Sequence, residues 1–254
     1  MNLVLDIGNT VVKAGIFSQE QLLLKGNFSS IPVREPDEWG ILLRNWIQLL
    51  PGPYVLDVIV VASVVQRVHR AISRALPRYF DVPVIELSHR VSPVPILCDD
   101  PAQLGADRIA NVVAVNRLYK CPAIVIDFGT ATTFDVVSAK GEYIGGVIAP
   151  GVRAASDSLW QKAERLFPVD FSKPDRVIGT NTHDNLLSGL FYTWVGMMDE
   201  IVRRVVIELG QKPTVVVTGG WGDLFGSESM HAPEINSNLT LQGLNYVALF
   251  HNPR

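Results

Sequence analysis

The amino-acid sequence predicts an α/β protein built as two similar halves. Three observations carry that expectation. Short apolar, β-rich runs alternate with longer stretches in which apolar residues recur at helical spacing. Two of the runs end in an Asp, pass through a Gly-containing turn and are followed by a returning strand: Asp6-Ile7-Gly8-Asn9-Thr10 and Asp127-Phe128-Gly129-Thr130. A layout repeated at this distance suggests a duplicated unit. Finally, 254 residues with 48% hydrophobic and 19% charged side chains suffice for one large domain or two modest ones, and they exclude the disordered and fibrous classes.

The first elements are strands. Residues 2–6, 11–17 and 21–29 are β-rich runs joined by small turns, and they read as an antiparallel meander. In residues 36–50 the apolar positions Trp39, Leu42, Leu43, Trp46, Leu49 and Leu50 fall at helical spacing, and Pro-Gly-Pro at 51–53 stops the helix. Residues 56–63 are a continuous apolar run, as in a strand buried on both faces. Residues 66–76 are again helical and 83–87 form a strand. The polar stretch 98–108 then leads into a helix over 109–119. At residue 123 the pattern restarts, with strands at 123–127, 133–138 and 141–151. The helix over 184–209 has apolar residues from Leu186 to Val206, in a stripe broader than one contact face needs. The surplus reads either as a surface for a twin helix or as a central helix wrapped by its own chain. Residues 213–220 are a strand running into a glycine pair. The halves are expected to meet near 118–122, which gives lobes of 1–119 and 120–254.

Charge and motif content narrow the function classes. A formal net charge of −3 and a pI of about 5.9 disfavour a protein that grips nucleic acid by neutralising phosphates. No apolar run reaches the roughly 18 residues of a membrane span. The opening MNLVLDIGNT holds Asp6 and lacks a basic leader, so it reads as strand and turn rather than signal peptide. Cys98 and Cys121 offer neither a disulfide framework nor a CxxC metal pair. A soluble, reduced, cytoplasmic protein with no nucleic-acid or membrane partner is expected. There is no Walker-type phosphate loop, no HExxH and no GxSxG, and the five histidines lie far apart.

Three segments carry chemistry. A turn between antiparallel strands aims several backbone N–H groups at one point, and Gly8 lets a ligand approach that backbone closely. Thr10 adds a hydroxyl and Lys13 a cation. Asp6 would repel phosphate, so its fitting task is to hold a hydrated Mg²⁺ that bridges phosphate oxygens. The turn from Asp127 to Thr133 repeats this logic, and two such turns could grip a polyphosphate from both sides. Gly105-Ala106-Asp107-Arg108 precedes an apolar helix. There Asp107 reads as a general base and Arg108 as a fork for carboxylate or phosphate, although an acid in a helix's first turn is also an ordinary solvated choice.

With these residues in view, the chain resembles the type III pantothenate kinases. DIGNT with Lys13, PAQLGADRIANVVAV, VIDFGTATTFDVV, GGVIAPG, GTNTHDNLLSGLFYTWVGMMDEI, VVVTGG and LTLQGL occur in that family's order, over about residues 2–249. The resemblance implies a duplicated ribonuclease-H-like, actin-like ATPase fold: two similar lobes with mixed sheets and a cleft between them. It also implies ATP-dependent phosphorylation of pantothenate to 4′-phosphopantothenate, the committed step toward coenzyme A. Mg²⁺ or another divalent cation, K⁺ or NH₄⁺, and a homodimer formed through the long helix come with it. Carried over by position, Asp6, Gly8, Asn9, Thr10, Lys13, Gly129 and Thr130 bind ATP phosphates. Asp127 lies near the monovalent cation. Gly105, Ala106, Asp107 and Arg108 line the pantothenate pocket, with Asp107 as the catalytic base, and Thr182 contacts substrate near the dimer interface. Gly219 and Gly220 fall where the nucleotide passes. Many members have a tyrosine where this chain has Cys98, which bears on the detail of the pantothenate pocket. Three rivals stand beside this reading: an ATP-binding regulator of the same fold, another small-molecule kinase or polyphosphate phosphatase, and an actin-like or chaperone-like ATPase.

Overall fold

A largely apolar strand hydrogen-bonded on both edges must be covered on both faces, and β1 (Asn2–Ile7) is buried throughout. A computed structural model describes residues 1–252. It forms two compact units: Met1–Tyr119 joined by the stretch from Asn238 onward, and Lys120–Ser237.

In the first unit β1, β2 (Val11–Ser18) and β3 (Gln21–Ser29) form the expected antiparallel meander, while β4 (Val58–Ser63) pairs parallel with β1 and β5 (Val84–Glu86) parallel with β4. The sheet order is β3-β2-β1-β4-β5. Side chains alternate faces along β1. Leu3, Leu5 and Ile7 join one core with Trp39, Leu43 and Ile47 of α1 (Pro36–Ile47) and Ile72 and Leu76 of α2 (Gln66–Tyr79). Helix α1 opens on Pro36, which needs no N–H partner there, and the Glu38 carboxylate accepts the Glu35 N–H at 2.7 Å. Helix α3 (Ala106–Leu118) begins three residues earlier than its apolar periodicity indicates.

The second unit repeats the plan. Strands β6 (Ala123–Phe128), β7 (Ala131–Val137) and β8 (Tyr143–Pro150) form a second meander, followed by α4 (Val152–Lys162) and α5 (Thr182–Leu209). Then come β9 (Thr214–Gly219), parallel to β6, the short α6 (Gly222–Gly226) and β10 (Glu234–Ile235), parallel to β9. The order β10-β9-β6-β7-β8 is that of the first sheet. The likeness extends to register. Asp6 lies opposite Lys13 and Asp127 opposite Thr133, and each second strand carries an irregularity in the same place, at Ile16/Phe17 and Val136/Val137. The second hairpin is one residue tighter, since Ile7 pairs with Val12 but Phe128 with Thr132. Ile124, Ile126, Phe128 and Phe134 pack against Phe191, Trp194, Met198 and Val202 of α5. Met197, Ile201, Val205 and Val206 are partly buried on this same core, so much of the broad stripe on α5 is used within its own unit.

The chain then returns to the first unit as α7 (Leu239–His251), which differs from the expected second lobe of 120–254. The physical reason is a polar thread. Asn2 Nδ2 donates to Asn245 Oδ1 at 2.9 Å, Asn245 Nδ2 donates to Gln19 O at 2.7 Å, and Thr240 Oγ1 donates to Asn111 Oδ1 at 2.8 Å. Asn2, Asn245, Asn111 and Thr240 are all buried, so these bonds select where α7 can dock. Leu239, Leu241, Leu244 and Val247 of α7 are fully covered. We expect Asn245→Ala to strand the buried Asn2 amide and lower stability by about 1–3 kcal/mol. Denaturant unfolding measures this, and an unchanged midpoint would contradict the docking role.

Candidate active site

The first unit assembles one group of the expected residues at a single end of its sheet. Asp6 lies near the end of β1 and is only 8% exposed, and Lys13 Nζ lies 3.8 Å from Asp6 Oδ2. The turn between them is held by the Gly8 N–H donating to Val11 O at 3.1 Å, and Asn9 and Thr10 at its tip are exposed. Lys25 stands on β3 opposite Gly15, and its Nζ donates to Asn238 Oδ1 at 2.7 Å. Burial, and then the Lys13 charge, hold Lys25 below the ordinary lysine pKa. The Lys13 ammonium beside the turn gives this end of the sheet positive charge to offer an anion.

The start of α3 reaches the same end. Gly105 is its N-cap, and a side chain there would come within 3.6 Å of Val64, whose N–H donates to Ile7 O at 3.2 Å. Asp107 therefore sits in the first helical turn, beside the end of β1 that carries the Asp6 turn. Its Oδ1 accepts the Arg108 N–H at 2.8 Å. The helix start stabilises the carboxylate's charge through its oriented amides. Ahead of it, Asp100 braces a single 3₁₀ turn at Pro101–Gln103 by accepting the Ala102 N–H at 3.1 Å and Gln103 Nε2 at 2.8 Å. Cys98 precedes this turn and is half-buried.

The second unit builds its own turn. Asp127 lies on β6 between Thr133 of β7 and Thr218 of β9, and the Gly129 N–H donates to Ala131 O at 3.1 Å. Gly219 adopts φ +91°, and a Cβ there would lie 2.6 Å from Asp127 Oδ1. The Gly220 N–H donates to Phe128 O at 3.1 Å, so the glycine pair is fastened to the Asp127 turn. Thr182 is exposed at the first residue of α5, where Asn181 Oδ1 accepts the Asp184 N–H at 2.9 Å. His183 and Asn181 hydrogen-bond the Asp184 carboxyl and hold it below the usual carboxylate range.

Ser30 is a residue of this site that sequence reasoning misses. It is buried, its Oγ donates to Gly8 O at 2.7 Å, and its N–H donates to Thr10 O at 3.0 Å. Its only sequence signal is its place just after a strand.

A duplicated α/β unit with an Asp–Gly turn after each first strand defines a sugar-kinase-like fold. The ROK hexokinase from Thermus thermophilus shares it with a TM-score of 0.55 at 14% identity, over 96% of this chain and 97% of that one. Residues 2–204 match the type III pantothenate kinase family, and the chain belongs to it. Curated type III pantothenate kinases from Acidobacterium capsulatum and Anaeromyxobacter sp. strain K are 41% and 40% identical, over 256 and 249 residues. These alignments cover 97% and 96% of this chain, and 94% and 97% of those proteins.

Gly219→Ala forces a left-handed residue to carry a side chain against Asp127. We expect a loss of about 1–2 kcal/mol from the backbone alone, read as a lower melting temperature, together with weakened nucleotide binding in calorimetry.

Proposed function

We propose that this chain transfers the γ-phosphoryl group of ATP to the primary hydroxyl of pantothenate, giving 4′-phosphopantothenate and ADP in the first step of coenzyme A biosynthesis. The family match supports the reaction. The observation that supports the residue assignment is that the Asp6 turn and the start of α3, which carries Asp107, lie at one end of one sheet.

Phosphoryl transfer needs positioning and charge neutralisation more than covalent help. The turn through Gly8, Asn9 and Thr10 supplies backbone donors to ATP phosphates, chiefly the N–H groups of Asn9 and Val11 since that of Gly8 is spent on Val11 O, and Lys13 adds positive charge. Gly129 and Thr130 form the equivalent turn of the second unit, where the Gly129 N–H is spent on Ala131 O and the N–H groups of Thr130 and Ala131 are the donors for an anion. Asp107 accepts the hydroxyl proton as the substrate oxygen attacks phosphorus in line, and ADP leaves. Gly105, Ala106 and Arg108 hold pantothenate, with the Arg108 guanidinium suited to its carboxylate; Thr182 is the substrate contact that the family resemblance implies near the dimer interface. Cys98, shorter than the tyrosine of many relatives, leaves its place in that pocket to a smaller contact.

Among the described residues no three His, Cys, Asp or Glu side chains gather into a metal cage. Asp6 is a single, mostly buried carboxylate beside the turn. That donor set fits Mg²⁺, which keeps several waters and needs one or two carboxylates besides phosphate; when bound, it would neutralise charge on the transferred group. Asp127, half-buried near the end of β6, offers carboxylate oxygens to K⁺ or NH₄⁺. No described helix is long and apolar enough to cross a membrane, and a cytoplasmic site of action is in keeping with the reaction.

A homodimer belongs to the same reading. The second unit exposes Ile148 on β8, Phe167, Val177, Ile178 and Tyr192 of α5. Gly189, Thr193 and Gly196 are exposed on α5, with open space where a Cβ at either glycine would project. A second copy would cover these apolar side chains and could approach that helix closely. Sedimentation at micromolar concentration is expected to give twice the chain mass of 27.9 kDa; a monomer would overturn the dimer.

A coupled ADP-release assay across hydroxyl acceptors, with K⁺ present and absent, tests the function. Pantothenate is the expected acceptor, and ATP turnover indifferent to pantothenate would favour a regulator. In the same assay Asp107→Asn is expected to lower kcat by about 10²–10⁴-fold while ATP affinity holds. Near-wild-type turnover would remove the base assignment.

A further inference from the structure

We propose that the residue after the third strand of each meander, Ser30 in the first unit and Gly151 in the second, is a positioning residue that fixes which way the phosphate-binding turn points its amides. This rests on the nucleotide-binding part of the proposed function, because the turns matter only as anion sites.

The two residues occupy equivalent places. Val11 pairs with Ser29 and Ala131 pairs with Pro150, so Ser30 comes next to Thr10 and Gly151 next to Thr130. They act by different means. Ser30 is 1% exposed, and it draws two turn carbonyls toward itself: Gly8 O accepts its Oγ at 2.7 Å and Thr10 O accepts its N–H at 3.0 Å. In a planar trans peptide a carbonyl and the next N–H point in opposite directions. With the carbonyls of Gly8 and Thr10 turned to Ser30, the N–H groups of Asn9 and Val11 are aimed away from it, on the side open to an anion.

Gly151 reaches the same result through close approach. A Cβ at 151 would overlap Thr130 O and lie 3.0 Å from Gly129 O. Both carbonyls therefore face Gly151, and the N–H groups of Thr130 and Ala131 face the other way. The difference comes from loop length. The first turn is one residue longer and is held by hydrogen bonds, whereas the tighter second turn needs only a neighbour without a side chain. Neither residue needs to touch substrate. Each presets the amide direction that a triphosphate would otherwise have to impose on binding.

The test uses the full chain with Ser30→Ala and Gly151→Ala. It measures KM for ATP and for pantothenate, kcat, the melting temperature, and the affinity of a non-hydrolysable ATP analogue by calorimetry. Ser30→Ala keeps the backbone bond to Thr10 and removes only the hydroxyl. It is expected to raise the KM for ATP and weaken the analogue about five- to tenfold, with the KM for pantothenate within twofold. Gly151→Ala is expected to do so more strongly; if it fails to fold, Ser30→Ala decides. A purely structural role would lower the melting temperature and the active fraction, hence kcat, and leave the KM for ATP unmoved, and that result overturns the proposal. So does an equal rise in both KM values. A wild type that binds the analogue but does not phosphorylate pantothenate, with the variants still weakened, removes the kinase reading and keeps the positioning role. A wild type that binds no nucleotide ends both.

Discussion

A strand buried on both faces can offer chemistry only at its ends. That constraint governs both units. In β1 and β6 the apolar side chains alternate into cores above and below, so the first group able to meet a ligand is the Asp near the end of the strand, and the turn comes next. The parallel neighbours β4 and β9 finish at the same end, and they carry their last residues and the adjoining chain there too: Val64 beside Gly105 in one unit, Gly219 against Asp127 in the other. The location of the candidate site is thus a consequence of how the sheets are buried, and the site chemistry sits where ligands generally bind in such sheets.

Duplication explains why the two turns are alike and also why they differ. Sheet order, register and strand irregularity recur, but Lys13 stands where the second unit has Thr133. One turn can therefore supply a full positive charge to a phosphate and the other only neutral donors. The stronger attraction for an anion thus lies in the unit that also carries Asp107.

The two meanders, the helices at 36–47 and 182–209 and the repeated Asp turns are legible in the sequence because each arises from local periodicity or turn chemistry. The features that escape such reading depend on tertiary contact. Helix α7 is apolar nearly all round and shows no stripe, so nothing local marks its length or its home; Asn245 acquires meaning only when Asn2 is beside it. Ser30 is one polar residue after a strand until the turn it braces folds back over it. The start of α3 at Ala106 is obscured because Gly105 caps without a side-chain oxygen, so no capping residue announces it. The broad stripe on α5 shows the amount of apolar surface correctly, but not how it is divided, since the second unit's own core takes much of it.

The bond between Asn2 and Asn245 joins the beginning of the chain to its last helix. During synthesis the amino-terminal portion emerges first, yet its sheet lacks the cover of α7 until the residues after Asn238 have been made. The intervening portion, continuous from Lys120 to Ser237, has all its strands in hand sooner. The order of maturation on the ribosome is therefore the reverse of the order of emergence, and a nascent chain truncated before Asn238 would carry one finished unit behind one that still lacks its lid.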